Sequence, residues 1–254
     1  MAGDVSVQMI QPDYVSDDGR IMLYCADALD VLPTLEAGSI EHIITDPPYE
    51  VEAHTLQRRV KRNGGIMNLE PLDFCKMSEA VRIEFSKQTV RICSGWAIVF
   101  CQAEAVALWR DTLQDAGAIY KRAMVWIKPD GMPQYSGDRP GMGYESIVAA
   151  WCSDGGSSWN GGGRHGVFNY NKSGDGGPNE HPTQKPIRLI SKLVALFTDE
   201  GDTVLDCFMG SGTTGVAAVK LGRRFIGVEL SREYYNIALK RIQQAEAQPM
   251  LLQV

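Results

Sequence analysis

Short apolar runs alternate along the chain with longer stretches whose apolar residues recur three and four positions apart, the spacing of a helix face. Residues 21–25 form an apolar run that predicts a strand. Residues 28–35 predict a helix, which Pro33 must end or kink because proline has no N–H and its ring clashes with the preceding turn. A second strand is expected over 40–45, stopping at Pro47-Pro48, and a helix over 78–91. The unbroken apolar run 96–101 predicts a strand buried on both faces. A helix over 104–115 closes at Gly117, and strands follow at 119–127 and 146–151. Pro186 then opens a helix to 197. Residues 203–206 read as a strand, 213–221 as a helix and 225–229 as a strand, after which Ser231 caps a helix to about 246. The alternation predicts an α/β fold, a doubly wound, Rossmann-like and mainly parallel sheet, in a single domain over 1–254.

Two stretches break this rhythm. Residues 50–75 are polar, basic and poorly periodic, which predicts a mobile loop. Glycine supplies nine of the 23 residues of 155–177, mixed with Ser, Asn and Asp. Such a segment is too poor in apolar surface to pack as its own core and predicts a flexible linker or a loop that orders on binding. Long loops inside compact domains commonly recognise ligands, so 152–180 is the candidate recognition segment.

Composition narrows the class. A hydrophobic share of 44% and a charged share of 22% are those of a globular protein. No apolar run is long enough for a membrane span, and the first residues lack the basic-then-apolar pattern of a signal peptide. Six scattered cysteines without a C-x-x-C pair, and four isolated histidines, predict neither disulfides nor a metal site, and fit a cytoplasmic protein. A net charge of −6 weighs against broad phosphate binding. Binding uses local fields, however, and Arg58, Arg59, Lys61 and Arg62 make a basic run.

Candidate chemistry lies in two places. Val204–Gly215 reads strand, glycine turn, helix start, with Gly210, Gly212 and Gly215 in a G-x-G-x-x-G pattern. Such glycines permit positive φ and close approach of a ligand to the backbone. Glu229, at the end of the next strand, can take the two hydroxyls of a ribose. These features suit NAD as well as S-adenosylmethionine. Asp206 before the glycines leans towards the latter, because a buried acid can pair with an amino group. The second place is Asp46-Pro47-Pro48-Tyr49 at the end of strand 40–45. The prolines fix the backbone, so the Pro47 carbonyl and the Asp46 carboxylate could grip an exocyclic –NH2 while Tyr49 stacks on its ring. Two acceptors around that nitrogen would localise its lone pair for attack on a sulfonium methyl group.

Together these motifs resemble the DNA amino-methyltransferases of the permuted β class, in which D-P-P-Y precedes F-x-G-x-G. Residues 25–49 resemble the family's passage into its catalytic motif, 181–186 (HPTQKP) its signature ahead of the first cofactor helix, and 222–242 its second cofactor motif. The resemblance implies S-adenosylmethionine as cofactor, double-stranded DNA as partner, and flipping of the target base. It implies catalytic roles for Asp46, Pro47, Pro48 and Tyr49. It also implies cofactor contacts from Phe208, Gly210, Ser211, Gly212 and Thr213, with Asp206 at the methionine end, Glu229 on the ribose, and Asp27 with Ala28 at the adenine. Thr183 and Lys185 are expected near the methionine part. Asp27 as a helix N-cap and Lys185 as a surface charge are the plainer alternatives.

Adenine N6 is the favoured target, because Asp in the first motif position is commoner in adenine enzymes of the family, with cytosine N4 as the alternative. A catalytically silent Rossmann module that binds nucleotide or DNA is the reading from a different class. DNA contacts are expected from Arg58, Arg59, Lys61, Arg62, Arg164 and Lys172, with Asn160, His165, Asn169, Tyr170 and Asn171 able to read bases. The two short stretches available for recognition predict a short or loosely read site. A homodimer and a companion restriction endonuclease are left open as partners.

Overall fold

The computed structural model describes residues 10–48, 59–62, 65–68, 77–135, 137–172 and 184–248. In chain order these give β1 (Tyr14–Val15), β2 (Ile21–Tyr24), α1 (Ala28–Val31), β3 (His42–Thr45), β4 (Arg59–Arg62), β5 (Gly65–Asn68) and α2 (Glu79–Ile92). Then come β6 (Trp96–Cys101), α3 (Val106–Asp115), β7 (Ile119–Ile127), β8 (Tyr144–Trp151), β9 (Val167–Asn169) and α4 (Ile187–Phe197). The chain closes with β10 (Thr203–Asp206), α5 (Thr213–Lys220), β11 (Arg224–Val228) and α6 (Arg232–Glu246).

Nine strands form one sheet in the order β1-β2-β11-β10-β3-β6-β8-β7-β9. The run β2-β11-β10-β3-β6 is parallel throughout. Beyond it β8 is antiparallel to both β6 and β7, and β9 lies parallel to β7. Helices cover both faces. One apolar layer joins Leu189, Leu193, Ala217 and Ile242 of α4, α5 and α6 to Ile44, Ile98 and Phe100. The other joins Phe85, Trp109 and Leu113 of α2 and α3 to Ile43, Val99 and Leu205. All six residues of β6 are buried, as expected for a strand covered on both sides. Serine hydroxyls start two of the helices: Ser78 accepts from the Val81 N–H and Ser231 from the Tyr234 N–H, both at 3.4 Å. No helix among the described residues is long and apolar enough to cross a membrane.

The expected elements recur with shifts of a residue or two at their ends. Pro33 converts the end of the first helix to a 3₁₀ turn over Leu32–Thr34. Two expectations are corrected. Within 50–75, the basic residues Arg59, Lys61 and Arg62 lie on β4, which pairs antiparallel with β5, Arg59 facing Asn68 and Arg62 facing Gly65. This part is a hairpin and not an irregular loop. In the glycine-rich stretch, residues 152–172 are largely exposed but anchored to the core at a few points. Trp159 lies against Phe197, with ring centroids 5.5 Å apart, and Ser158 accepts the Trp96 indole N–H at 2.7 Å. The Asn160 amide donates to the carbonyls of Ala195 and Thr198 at 3.3 and 3.1 Å, closing the carboxyl end of α4. One tryptophan and one asparagine anchor what the glycine content alone suggested could not pack.

Candidate active site

β10 and β3 are neighbours at the centre of the sheet, with Val204 opposite His42 and Leu205 opposite Ile43. From β3 the chain passes through α2 to β6 on one side. From β10 it passes through α5 to β11 on the other. The strand order therefore reverses between them, and a crevice opens outside their carboxyl ends, where ligands of such sheets bind. Asp46 leaves β3 and Asp206 ends β10 at this point. A buried hydrogen bond joins them through the next residue, with the Thr45 hydroxyl donating to Asp206 Oδ1 at 2.8 Å.

On the β10 side, Asp206 also accepts from the Phe208 N–H at 3.1 Å. Burial pushes its carboxyl up to about 6 against the opposing pull of these donors and the Thr214 hydroxyl. Glu229 stands one residue past β11. Its Oε2 accepts from the Gly210 N–H at 2.9 Å and its Oε1 from the Ser231 N–H at 2.8 Å, so it ties the glycine turn to the start of α6. Burial raises its pKa too. Gly210 and Gly212 have φ of +51° and +79°. A Cβ at Gly210 would meet open space, whereas one at Gly212 would lie 2.8 Å from Ala238 Cβ. Asp27 is exposed and caps α1, accepting from the Leu29 N–H at 2.8 Å, with Ala28 buried behind it. A buried acid, an open glycine turn, and a second acid at the next strand end fit a ligand bearing an ammonium and vicinal hydroxyls.

On the β3 side, Pro47 is buried and 30% of the Asp46 side chain remains exposed. The ammonium of Lys185 donates to Asp46 Oδ2. Lys185 also lies 3.3 Å from Glu145 Oε2 of β8, and the other Glu145 oxygen pairs with Lys128, just past β7. The result is an alternating chain of charge, Asp46–Lys185–Glu145–Lys128. Burial pushes the Asp46 carboxyl up, Lys185 pulls it back, and Glu145 pushes in the same sense as burial. For Glu145 burial raises, but the two ammoniums prevail and hold it below its ordinary value.

The model of the N6/N4 methyltransferases, a DNA methylase family, matches residues 40–240. The chain belongs to this family. A Type II methyltransferase of Streptococcus pneumoniae, M2.DpnII, is 27% identical over 265 residues, covering 93% of this chain and 94% of its own. The M1.HpyAVI-SAM complex superposes with a TM-score of 0.65 at 26% identity, over 87% of this chain and 99% of that one. The PvuII DNA methyltransferase, described as cytosine-N4-specific, gives a TM-score of 0.70 at 18% identity, over 91% and 88%, a likeness of fold. The span matched in the methylase runs from the start of β3 into α6, so Asp46, Lys185, Asp206 and Glu229 all fall inside it.

The methylase's structure brings most of the residues anticipated from sequence to one crevice and redirects several. Lys185, expected at the methionine end of a cofactor, points at the Asp46 carboxylate. Ser211 and Thr213 are buried, and Arg241 of α6 donates to their hydroxyls at 2.8 and 3.5 Å, so both brace the turn from behind. Phe208 leans on Phe85 of α2, with centroids 5.4 Å apart. Arg164 is exposed ahead of β9, four strands from β3, which at ordinary strand spacing is about 19 Å. Lys172 follows β9, and its N–H donates to Asp130 at 2.7 Å. Tyr49, Arg58 and Thr183 lie outside the described residues, as do the side chains of Arg59, Lys61 and Arg62. Sequence reading missed Lys128 and Glu145. A glutamate leading into the apolar part of β8 was the available signal for the second.

Proposed function

We propose that this methylase transfers a methyl group from S-adenosylmethionine to the N6 amine of adenine in double-stranded DNA. The Thr45–Asp206 hydrogen bond carries the reading, because it ties the end of β3, from which the D-P-P-Y motif leaves, to the acid that precedes the cofactor turn at the switch point of the sheet. When bound, S-adenosylmethionine supplies an electrophilic methyl group on a sulfonium. Asp206 would hold its ammonium and Glu229 its ribose, with the exposed Leu230 and Asp27 beside its adenine. Asp46 accepts one N–H of the target amine and the Pro47 carbonyl the other, which draws the nitrogen towards tetrahedral geometry and frees its lone pair. Tyr49 stacks on the flipped base. Asp46 afterwards takes the proton that the methylated amine releases. Positioning two reactants in this way is a large part of a rate effect of this kind. The aspartate in the first position of the motif supports adenine over cytosine.

The decisive experiment incubates the protein with S-adenosylmethionine and unmethylated duplex DNA and identifies the methylated nucleosides by mass spectrometry. N6-methyladenine is expected. N4-methylcytosine would keep the chemistry and change the base. Absence of any methylated nucleoside, with cofactor bound, would end the proposal. Sequencing the methylated sites tests the expected short recognition sequence, and the mass of the protein–DNA complex tests whether a homodimer spans the duplex. A restriction endonuclease that cuts the same site would supply the remaining partner.

The DNA-facing side is assigned to residues at the crevice end. The stretch from 129 to 143 joins β7 to β8 there, and Met132 and Tyr135 on it are 75% and 81% exposed. Large apolar side chains so placed suit the gap that a flipped base leaves in the stack, while Lys172 and Arg164 suit flanking phosphates. Tyr135→Ala is expected to slow methylation of duplex DNA about tenfold or more, since lost stacking is worth about 1–3 kcal/mol. Methylation of single-stranded DNA should be spared. Equal loss on both substrates would show that Tyr135 does not act on the duplex.

A further inference from the structure

We propose that Lys185 and Glu145 are positioning residues of the methyl-transfer site, Lys185 aiming the Asp46 carboxylate at the target amine and Glu145 holding Lys185 in place, with Lys128 anchoring Glu145. The inference rests on the reading of Asp46 given above. Four charges of alternating sign, three of them nearly buried and the partly exposed Asp46, run from the D-P-P-Y motif into the β7–β8 hairpin. Side-chain exposures are 8% for Lys185, 11% for Glu145 and 13% for Lys128. A buried ion chain adds little to stability, because desolvation offsets the attraction, so its value is to be sought in the site it touches.

The geometry is specific. Lys185 engages one Asp46 oxygen, Oδ2, and so fixes the plane of the carboxylate. The ammonium is itself held from two further directions, by Glu145 and by the Phe100 ring, whose centroid is 5.1 Å away. Lys128 is held in the same manner over the Trp126 ring, 4.7 Å from its centroid. Anchors on β6, β7 and β8 thus converge on a residue that leaves β3. An amine donates a hydrogen bond to a carboxylate far better than to a carboxylic acid. Of the groups facing Asp46, Lys185 and Lys128 favour the ionised form and Glu145 opposes it. Asp206, on the cofactor side, is a like charge that feels Asp46 in turn.

Opposite signs follow for two substitutions. Lys185→Met removes the cation and should move the acidic limb of the methyl-transfer rate to higher pH, by about 1–3 pH units, with a fall of about 10²-fold or more at neutral pH if orientation is also lost. Glu145→Gln removes the opposing anion and should move the limb to lower pH. Single-turnover methylation of duplex DNA, saturated with cofactor, across pH 5–9 measures both, and thermal stabilisation by S-adenosylhomocysteine checks that each variant is folded. General damage would not move two limbs in opposite directions. If Lys185→Met does not fold, the downward shift in Glu145→Gln decides alone. Limbs that stay in place, or move the same way, in a folded variant overturn the positioning role. A wild-type protein that methylates no DNA overturns the reading of Asp46 instead.

Discussion

Asp46→Ala is expected to lower methyl transfer by more than about 10³-fold while leaving cofactor binding nearly intact. Losing one preorganised hydrogen-bonding group at a reacting centre costs about 10²–10³ in rate, and Asp46 is also the assigned proton acceptor. The cofactor groups sit on other elements: Asp206 ends β10 and Glu229 follows β11. Alanine has a second consequence, because it leaves the Lys185 ammonium with Glu145. Breaking a fully buried pair costs about 3–5 kcal/mol, and here water at the partly exposed Asp46 position should reduce that. Asp46→Asn separates the two effects. It keeps the volume and one carbonyl oxygen but no anion, so stability should be largely retained while the rate still collapses. Single-turnover rates and thermal shifts with S-adenosylhomocysteine check both variants. A rate for Asp46→Asn within tenfold of wild type would remove the carboxylate from the mechanism.

The parts of this site visible in the sequence were those that local chain chemistry dictates. Strands β3, β6 and β10 announce themselves as apolar runs, and Asp46-Pro47-Pro48 ends one of them because proline cannot continue a central strand. Gly210 and Gly212 are legible because left-handed backbone favours glycine. The hairpin of β4 and β5 was also legible: Asn63-Gly64 between the two runs is a signal for a two-residue turn, outweighed by the basic residues around it. Lys185 was expected near the methionine part of the cofactor, and its contact with Asp46 was not foreseen. Its contact with Asp46 spans 139 positions of chain, and only the sheet order brings α4's entry beside the end of β3.

The glycine-rich stretch illustrates the converse. Its composition reports the average cost of ordering a segment, whereas its fate turns on single side chains. Asn160 donates to the Ala195 carbonyl in the last turn of α4 and shares the Thr198 carbonyl with Arg223, and Trp159 extends the aromatic contact of Trp96 with Phe197. This anchor lies at the end of the sheet away from Asp46, whereas β9 runs parallel to β7 and carries the chain back to the crevice end, where the Lys172 N–H meets Asp130 of the β7–β8 connection. The ends of that connection, Lys128 and Glu145, are bonded to each other and through Lys185 to Asp46. The proposed DNA-facing connection and the proposed catalytic carboxylate are therefore joined by one chain of charge.

Gly212→Ala is the second large effect expected, and its size can be divided into parts. Gly212 has φ of +79°, which costs an L-residue about 1–2 kcal/mol. Its new Cβ would also stand 2.8 Å from Ala238 Cβ and 3.0 Å from Ala238 Cα. Neither atom belongs to a flexible side chain, so α6 or the turn must move, and overpacking of this kind costs about 1–3 kcal/mol. Gly38→Ala isolates the first part, because Gly38 has φ of +68° with nothing within 4 Å of a built Cβ. Thermal unfolding should therefore show Gly38→Ala mildly destabilised and Gly212→Ala about 1–3 kcal/mol worse. The turn that shifts is the one Glu229 grips through the Gly210 N–H. Stabilisation by S-adenosylhomocysteine should accordingly fall in Gly212→Ala and persist in Gly38→Ala. Equal unfolding temperatures and equal cofactor response in the two variants would mean that close packing of α6 against this turn is not what shapes the cofactor site.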